Sequence, residues 1–244
     1  VVDTIIKALS PAMPDKVPAA HHGLLGGAVV FFGVDPKTKR RFVVQSIEGG
    51  GWGGRPMEDG ESGTVSVCQG DVRNGSIEGI ELKCPVMVCA RELRRDSSGA
   101  GKYRGGLGID MRVRNFVEGR WNLARSGRTE CPPWGLWGGT SGGTAAYLML
   151  DKGSGKWIEP DVNRHPVEPD TEVIVRTGGG GGWGDPIERD AAKVVWDVVE
   201  DLISVDAARE HYGVVLNKDL SLDEAATTAL RARIRSGRPA QAAH

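Results

Sequence analysis

The sequence predicts an α+β fold: a β-rich body, sandwich- or barrel-like, with a short helix before it and a cluster of helices after it. Short β-like runs alternate with Gly and Pro from about residue 26 to residue 177, and this spacing is typical of sandwiches and barrels. Amphipathic patterns with helical spacing follow only after residue 186. Glycine makes up 36 of the 244 residues, which predicts glycine-rich turns between the strands.

The first element is expected to be a short helix, because Ile5, Ile6 and Leu9 share one side and Pro11 and Pro14 end it. The turns "VDPKTKR" and "DKGSGKW" predict hairpins. Eight runs predict strands: "GGAVVFFGV", "RRFVVQSIE", "GTVSVCQ", "IELKCPVMVCARELR", "GIDMRVRNFV", "RWNLARS", "AAYLML" and "TEVIVRT".

Three helices are expected at the end of the chain. Asp190 is placed to cap the first, Gly213 to end the second, and Ser221 with Glu224 to form a capping box at the third. These patterns divide the chain into a body with its N-terminal helix, a helical cluster and a flexible tail, at residues 1–186, 187–237 and 238–244.

Charge and hydropathy limit the classes of function. Lys and Arg number 31 against 32 Asp and Glu, so we expect no nucleic-acid partner, which would need a basic excess. No apolar run reaches the roughly 18 residues of a membrane span, and the first residues do not form a signal peptide pattern. We therefore expect a cytoplasmic protein that contacts no membrane. The four cysteines form no C-x-x-C pair, which argues against a zinc knuckle.

The stretch "TGGGGGWGDP", from Thr177 to Pro186, holds five consecutive glycines between a strand and a helix. A phosphate loop is one explanation, but neither "GAGKY" nor "GSGKW" completes a Walker A motif. Gly179, Gly181 and Gly184 match G-x-G-x-x-G, yet the expected helix begins too far beyond them. We favour a backbone path that only glycine can follow, anchored by Trp183, over a loop that lines a substrate or partner surface.

Histidine and arginine side chains offer two kinds of chemistry. His21 and His22 are adjacent, and adjacent residues of a strand face opposite sides, so they are weak candidates for one shared metal ion. One of them can still join ligands from elsewhere in the chain. Arg55 lies in the glycine-rich loop "GGGWGGRP" and is a candidate to hold an anion or a carbonyl group.

Acidic residues and thiols give weaker signals. A solvated acidic loop is the favoured interpretation of the carboxylates around this loop, ahead of Mg²⁺ binding or general base catalysis. These carboxylates are Glu48, Glu58, Asp59 and Glu61. Cys68 and Cys131 lie near glycine-rich turns, but no histidine is close in sequence to activate either thiol, so neither is expected to be a nucleophile.

Taken together, four motifs resemble the hydantoinase B/oxoprolinase family over most of the chain. They are "EGGGWGGRPMEDGESG", "DSSGAGKYRGGLG", "CPPWGLWGG" and "TGGGGGWGDPIERD", in this order. The ending "VVEDLISVDAAREHYGVVL" also resembles the C-terminal part of that family. The family includes B subunits of ATP-dependent hydantoinases, 5-oxoprolinase, a caprolactam-hydrolysing enzyme, and subunits of acetone and acetophenone carboxylases.

The resemblance implies a division of labour between polypeptides. A partner of the hydantoinase A type binds ATP with Mg²⁺ and phosphorylates a small-molecule substrate, and the B-type part carries the activated intermediate to hydrolysis or carboxylation. Family B subunits are much longer, so this chain corresponds to their C-terminal half. The expected divalent metal and its ligands belong to the N-terminal half, which is a further partner. The chain alone is expected to bind no cofactor and to be inactive.

The leading expectation is a component of an ATP-dependent hydrolase of cyclic amides or imides, such as a hydantoinase or 5-oxoprolinase. A component of an ATP-dependent ketone carboxylase and a non-catalytic interaction module are the alternatives. Glycine-rich loops can present backbone N–H groups to an oxyanion or a phosphorylated intermediate. The candidates for binding substrate or intermediate are Gly51, Trp52, Gly53, Arg55, Gly180, Gly181 and Trp183.

Overall fold

The computed structural model describes residues 2–23, 29–46, 48–67, 69–70, 75–123, 128–160 and 164–237. The helices are α1 (Val2–Leu9), α2 (Ile77–Lys83), α3 (Ala191–Val199), α4 (Val205–Tyr212) and α5 (Glu224–Ser236). The strands are β1 (Val29–Val34), β2 (Arg41–Ser46), β3 (Val86–Leu93), β4 (Ile109–Asn115), β5 (Gly119–Leu123), β6 (Ala146–Asp151), β7 (Lys156–Ile158), β8 (His165–Val167) and β9 (Thr171–Arg176). The α+β class predicted from the sequence is confirmed.

The strands form two antiparallel sheets that enclose one core. The first sheet has the order β2-β1-β5-β8 and the second has the order β3-β4-β9-β6-β7. Alternate side chains of each strand point inward, as the pleat requires. Phe31 and Trp121 from the first sheet stack at 4.8 Å, and they share a buried cluster with Met111 and Val173 from the second. The body is therefore a sandwich rather than a barrel.

Two of the eight predicted strands differ in the structure. The run "GTVSVCQ" forms no strand within its described residues, and Thr64 makes only an isolated bridge to Gly50. Only the first four residues of the run "IELKCPVMVCARELR", 80–83, are helical, because the Ser76 side chain accepts a hydrogen bond from the Gly79 N–H and starts α2, and the strand β3 follows from Val86. Such a cap favours a helix over an extended chain. Both predicted hairpins are present, between β1 and β2 and between β6 and β7.

The helical cluster packs around its own small core of Val194, Val198, Ala208 and Tyr212, which also includes Ala100 from the body. Asp190 caps α3 as predicted, and Gly213 ends α4 with φ of 61°. The predicted capping box at α5 is wrong, because Asp223 is the N-cap and accepts from the Ala226 N–H. The division at residue 186 stays a prediction, and the predicted flexible tail lies outside the described residues.

Glycine-rich segments join the sandwich to the helical cluster. We call them the glycine module, which consists of the run Thr177–Gly184 and of residues 18–22, 49–64, 97–108 and 133–143 around it. No helix in the described part of the chain is long and apolar enough to cross a membrane.

Candidate functional site

The glycine run leaves β9 and passes through the middle of the glycine module. The N–H groups of Gly179 and Gly182 donate to segment 140–143, and those of Gly180 and Trp183 donate to segment 103–106, at 2.8–3.0 Å. This repeat of three residues is the period of a polyproline II-type helix, which has no internal hydrogen bonds. The backbone groups of the run therefore bind neighbouring segments on every side.

Close approach of backbones explains why the run is glycine. A Cβ on Gly180 would collide with the carbonyl oxygen of Trp52, and one on Gly181 would collide with that of Trp134. Both contacts would fall far below 3.0 Å, a distance that real Cβ atoms essentially never reach. Within the run only Gly184 has a positive φ, of 75°. The run thus needs glycine mainly for lack of a side chain, and at one position also for left-handed backbone.

The N–H groups of the candidate glycines are already used within the fold. Gly51 donates to the Gly178 carbonyl at 2.9 Å and Gly180 to the Gly106 carbonyl at 2.9 Å. Gly181 donates to the Ala20 carbonyl, also at 2.9 Å. A phosphate or an oxyanion would have to displace these partners, so the geometry does not favour backbone donation by these three residues. Their binding roles stay predictions.

His21 and Trp52 pack against each other beside the first glycine loop. Their ring centroids are 4.8 Å apart, and the Trp52 Nε1 donates to the Val65 carbonyl at 2.5 Å. The Gly53 N–H donates to His21 Nδ1 at 3.1 Å, so only Nε2 remains for another partner. His21 is 2% exposed. Burial lowers the pKa of His21, against the opposing charge of Asp3.

His22 follows His21 in the same segment and is 1% exposed. Burial and the adjacent His21 lower the pKa of His22 to about 4. In the described part of the chain, no three His, Cys, Asp or Glu side chains come together as a metal site. These histidines alone do not form a metal centre, and a role for either one as a ligand alongside other residues stays a prediction.

Arg55 and Trp183 bring two side-chain donors to neighbouring segments of the glycine module. Arg55 is half-buried and forms ion pairs with Glu58 at 3.1 Å and Glu61 at 3.6 Å. Its buried Nε has no acceptor among the described residues, and neither does the buried Nε1 of Trp183. Gly54 joins these two regions, since a Cβ there would lie 3.1 Å from the Trp183 backbone nitrogen.

The sequence predicts Trp183 to be a buried anchor, but the structure shows it only half-buried. Its ring packs against Tyr103, with centroids 6.0 Å apart, and its backbone exchanges two hydrogen bonds with Tyr103. The backbone hydrogen bonds therefore fix the position of this residue. Its indole N–H has no acceptor among the described residues. N–H donors of this kind suit a carbonyl or anionic oxygen of a ligand.

The sequence suggests that the acidic residues around the loop form one solvated group, but the structure shows that two of them are bound to arginines. Glu48 is 5% exposed and accepts from Arg91 Nε at 2.9 Å. Asp59 accepts two hydrogen bonds from Arg189, at 2.6 and 2.8 Å. Burial raises the pKa of Asp59, but the hydrogen bonds and charge of Arg189 outweigh it and hold that pKa below its ordinary range. Glu58 and Glu61 are exposed, as expected.

Asp59 belongs to a buried charge network that no sequence motif indicates. Asp197, fully buried, accepts from Arg104 at 2.9 Å and from Arg189 at 2.8 Å. The network connects the glycine module with α3 and with the residue just before the α3 cap. The paired residues of this network are up to 130 positions apart along the chain. A local sequence motif therefore cannot predict the network.

Helix α1 lies against the same side of the glycine module. Asp3 forms an ion pair with Arg128, and both side chains are about 15% exposed. The Lys7 ammonium lies 5.4 Å from the centroid of the Trp134 ring. The charge of Asp3 acts on His21, as do those of Arg128 and Arg55. This helix therefore borders the candidate site.

Of the two cysteines considered from the sequence, the structure describes only Cys131. Cys131 is exposed and forms no disulfide, and Cys68 lies outside the described residues. The expectation that neither thiol is a nucleophile stays a prediction.

Comparison with known proteins gives consistent matches. The family model for hydantoinase B/oxoprolinase matches residues 1–186. A protein named as the B component of a D-/L-hydantoinase, from Pseudomonas sp. (strain NS671), is 32% identical over 95% of this chain and 38% of its own length. The beta component of caprolactamase from Pseudomonas jessenii is 30% identical over 94% of this chain and 41% of its own length.

Two solved structures share the fold. The ATP-dependent caprolactamase from Pseudomonas jessenii has a TM-score of 0.73 and 27% identity, over 93% of this chain and 40% of that chain. Nucleotide-free acetone carboxylase also has a TM-score of 0.73, with 24% identity over 88% of this chain and 33% of that chain, and this match shows the fold alone. The chain spans about two fifths of the length of the curated relatives it matches.

Proposed function

We propose a function from one premise: the chain belongs to the hydantoinase B/oxoprolinase family. We propose that it forms part of the B-type component of an ATP-dependent hydrolase of cyclic amides or imides, of hydantoinase or 5-oxoprolinase type. The observation that carries the proposal is its similarity, over nearly its whole length, to the B component of a hydantoinase and to the beta component of a caprolactamase. Hydantoins and caprolactam are both cyclic amides.

The proposal assigns the remaining steps to other polypeptides. An A-type subunit would bind ATP with Mg²⁺ and activate the amide, and the remaining part of the B-type component would supply a divalent metal. Two observations support this division. The chain covers only 38–41% of these two relatives, and the N–H groups of residues 179–182, within its longest glycine run, are bound to its own carbonyls.

Within this chain, the proposal gives Arg55 and Trp183 the role of holding a ligand oxygen. Each carries a buried N–H donor with no acceptor among the described residues. When water attacks the carbonyl carbon of an activated amide, negative charge is carried by the oxygens bound to that carbon before the carbon–nitrogen bond breaks, and fixed donors stabilise that charge. The glycine module would hold both side chains in place, because backbone hydrogen bonds connect its segments to one another.

Two alternatives remain. The fold shared with acetone carboxylase is compatible with a component of an ATP-dependent ketone carboxylase, in which the activated compound takes up bicarbonate-derived carbon instead of water. A non-catalytic interaction module is the second alternative. It predicts that the chain binds its partners but that none of its side chains affects turnover except through folding.

The test assembles the chain with its A-type and remaining B-type partners and measures ATP hydrolysis. Hydantoins, 5-oxoproline and lactams are supplied without bicarbonate, and acetone and acetophenone with bicarbonate. We expect ATP turnover that depends on a cyclic amide, and none from the isolated chain. Bicarbonate-dependent turnover with a ketone would refute the hydrolase proposal. Turnover by the isolated chain would refute the proposed division between polypeptides.

A further inference from the structure

Helix α1 keeps an apolar stripe exposed although it is attached to the body. None of its eight residues is buried. The stripe consists of Val2, Ile5 and Leu9, which share one side of the helix at i, i+3 and i+7, and Met13 follows just beyond its end. Their exposed fractions are 41%, 56%, 42% and 37%. Exposed apolar groups that cluster in this way mark contact surfaces more often than scattered ones do.

The helix is fixed in this orientation by its polar residues. Asp3 forms its ion pair with Arg128, and Lys7 lies over the Trp134 ring. Ser10, just past the end of α1, is 6% exposed and donates to the Lys7 carbonyl at 2.8 Å. These polar contacts attach α1 to the body, and much of the apolar stripe stays exposed.

We infer that the α1 stripe is the docking surface for the remaining part of a B-type component. The inference rests on the B-type assignment within the proposed function. The occupant follows from length: the curated relatives that match nearly all of this chain are more than twice as long as the part they share with it. We propose the additional residues of those relatives as the occupant of the stripe.

The position of α1 ties this surface to the candidate site. The charge of Asp3 acts on His21, and His21 packs on Trp52 beside the loop that carries Arg55. A polypeptide seated on the stripe would cover this side of the glycine module. Its side chains could then complete a site to which this chain contributes donors but no metal centre of its own among the described residues.

The experiment measures binding between two purified polypeptides. One is this chain, and the other is the part of the caprolactamase beta component from Pseudomonas jessenii that lies outside the match, since this chain covers 41% of that protein. The variant Ile5→Asp/Leu9→Asp places two charges on the stripe. The matched control is Thr4→Asp, which adds a charge to an exposed position of the same helix away from the stripe. Thermal unfolding checks that all three forms fold alike.

We expect the parent chain and Thr4→Asp to bind the probe with the same affinity, and the double variant to bind at least ten times more weakly. The inference is overturned if the parent does not bind, or if the double variant binds as well as the parent. It is also overturned if the parent forms a dimer that the double variant loses, because a second copy would then be the occupant. Since binding is read without turnover, a failed substrate panel and a failed docking surface are told apart.

Discussion

The backbone of Gly180 crosses that of Trp52 so closely that no side-chain carbon fits between them. A Cβ on Gly180 would overlap the Trp52 carbonyl oxygen, and its own N–H and carbonyl groups are bonded to Gly106 and Gly99. The two glycine-rich loops of the sequence are thus in direct contact at the centre of the glycine module. This contact depends on backbone atoms, which cannot move away without breaking several hydrogen bonds.

Gly180→Ala is therefore expected to destabilise the fold by about 3 kcal/mol or more, at the upper end of what overpacked cores cost. Urea unfolding of the purified chain measures this change. The matched control is Gly75→Ala, because a Cβ on Gly75 meets nothing within 4 Å. The control should unfold within about 0.5 kcal/mol of the parent. Equal stability of the two variants would show that the segments around Gly180 are not packed as described.

The buried charge network gives a second prediction. Asp197→Asn removes the charge that faces both Arg104 and Arg189, at a position that is fully buried. Breaking such a pair from one side leaves buried positive charge and costs about 3–5 kcal/mol. Asp201→Asn is the control, since Asp201 pairs with Arg95 at the surface and such pairs contribute about 1 kcal/mol or less. Chemical unfolding measures the free energy of unfolding of both variants. A loss at Asp197→Asn as small as that at Asp201→Asn would contradict the described network.

Histidine burial predicts how stability depends on pH. His22 has a folded-state pKa of about 4 against an ordinary value of 6.5, so it stays neutral while the unfolded chain takes up a proton. The contribution of His22 to the free energy of unfolding is fully present above pH 6.5 and is lost as the pH falls from 6.5 to about 4. The loss reaches about 3 kcal/mol at the lower limit, and His21 adds in the same direction.

The free energy of unfolding, measured in urea at a series of pH values, checks this slope. His22→Gln should flatten the curve between pH 6.5 and 4, whatever its effect on stability at neutral pH. A slope that is identical in the variant and the parent would mean that His22 titrates normally in the folded protein.

Local patterns were sufficient for most of the fold. The alternation in "TEVIVR" buries Thr171, Val173 and Val175, as a half-buried strand requires. Gly213 ends α4 because its left-handed backbone is accessible to glycine at little cost. The sequence predicts the third C-terminal helix but places its cap at Ser221, although Asp223 makes the capping bond. Several capping residues in succession leave the first residue of a helix undecided in sequence.

The site was less predictable, because its contacts join distant residues. The bond between Thr177 Oγ1 and the Gly49 carbonyl spans 128 positions, and Asp59 meets Arg189 across 130. The sequence predicts that the glycines matter for shape, yet it does not indicate that the N–H groups of the run are engaged by other segments. It also suggests that Asp59 is a solvated acid, since nothing near it in sequence reveals a buried arginine partner.

A role for this fold in amide hydrolysis is tested most directly at Arg55. In the complete complex, Arg55→Ala should lower kcat/KM for a cyclic amide about 100-fold, the usual loss when one fixed donor to a developing oxyanion is removed. Its unfolding free energy should change by about 1 kcal/mol or less, because its ion pairs lie at the surface. Arg95→Ala, at another surface ion pair, is the matched control: it should leave kcat/KM unchanged and change the unfolding free energy by about 1 kcal/mol or less. Full activity of Arg55→Ala in a complex that hydrolyses cyclic amides would contradict the proposed role.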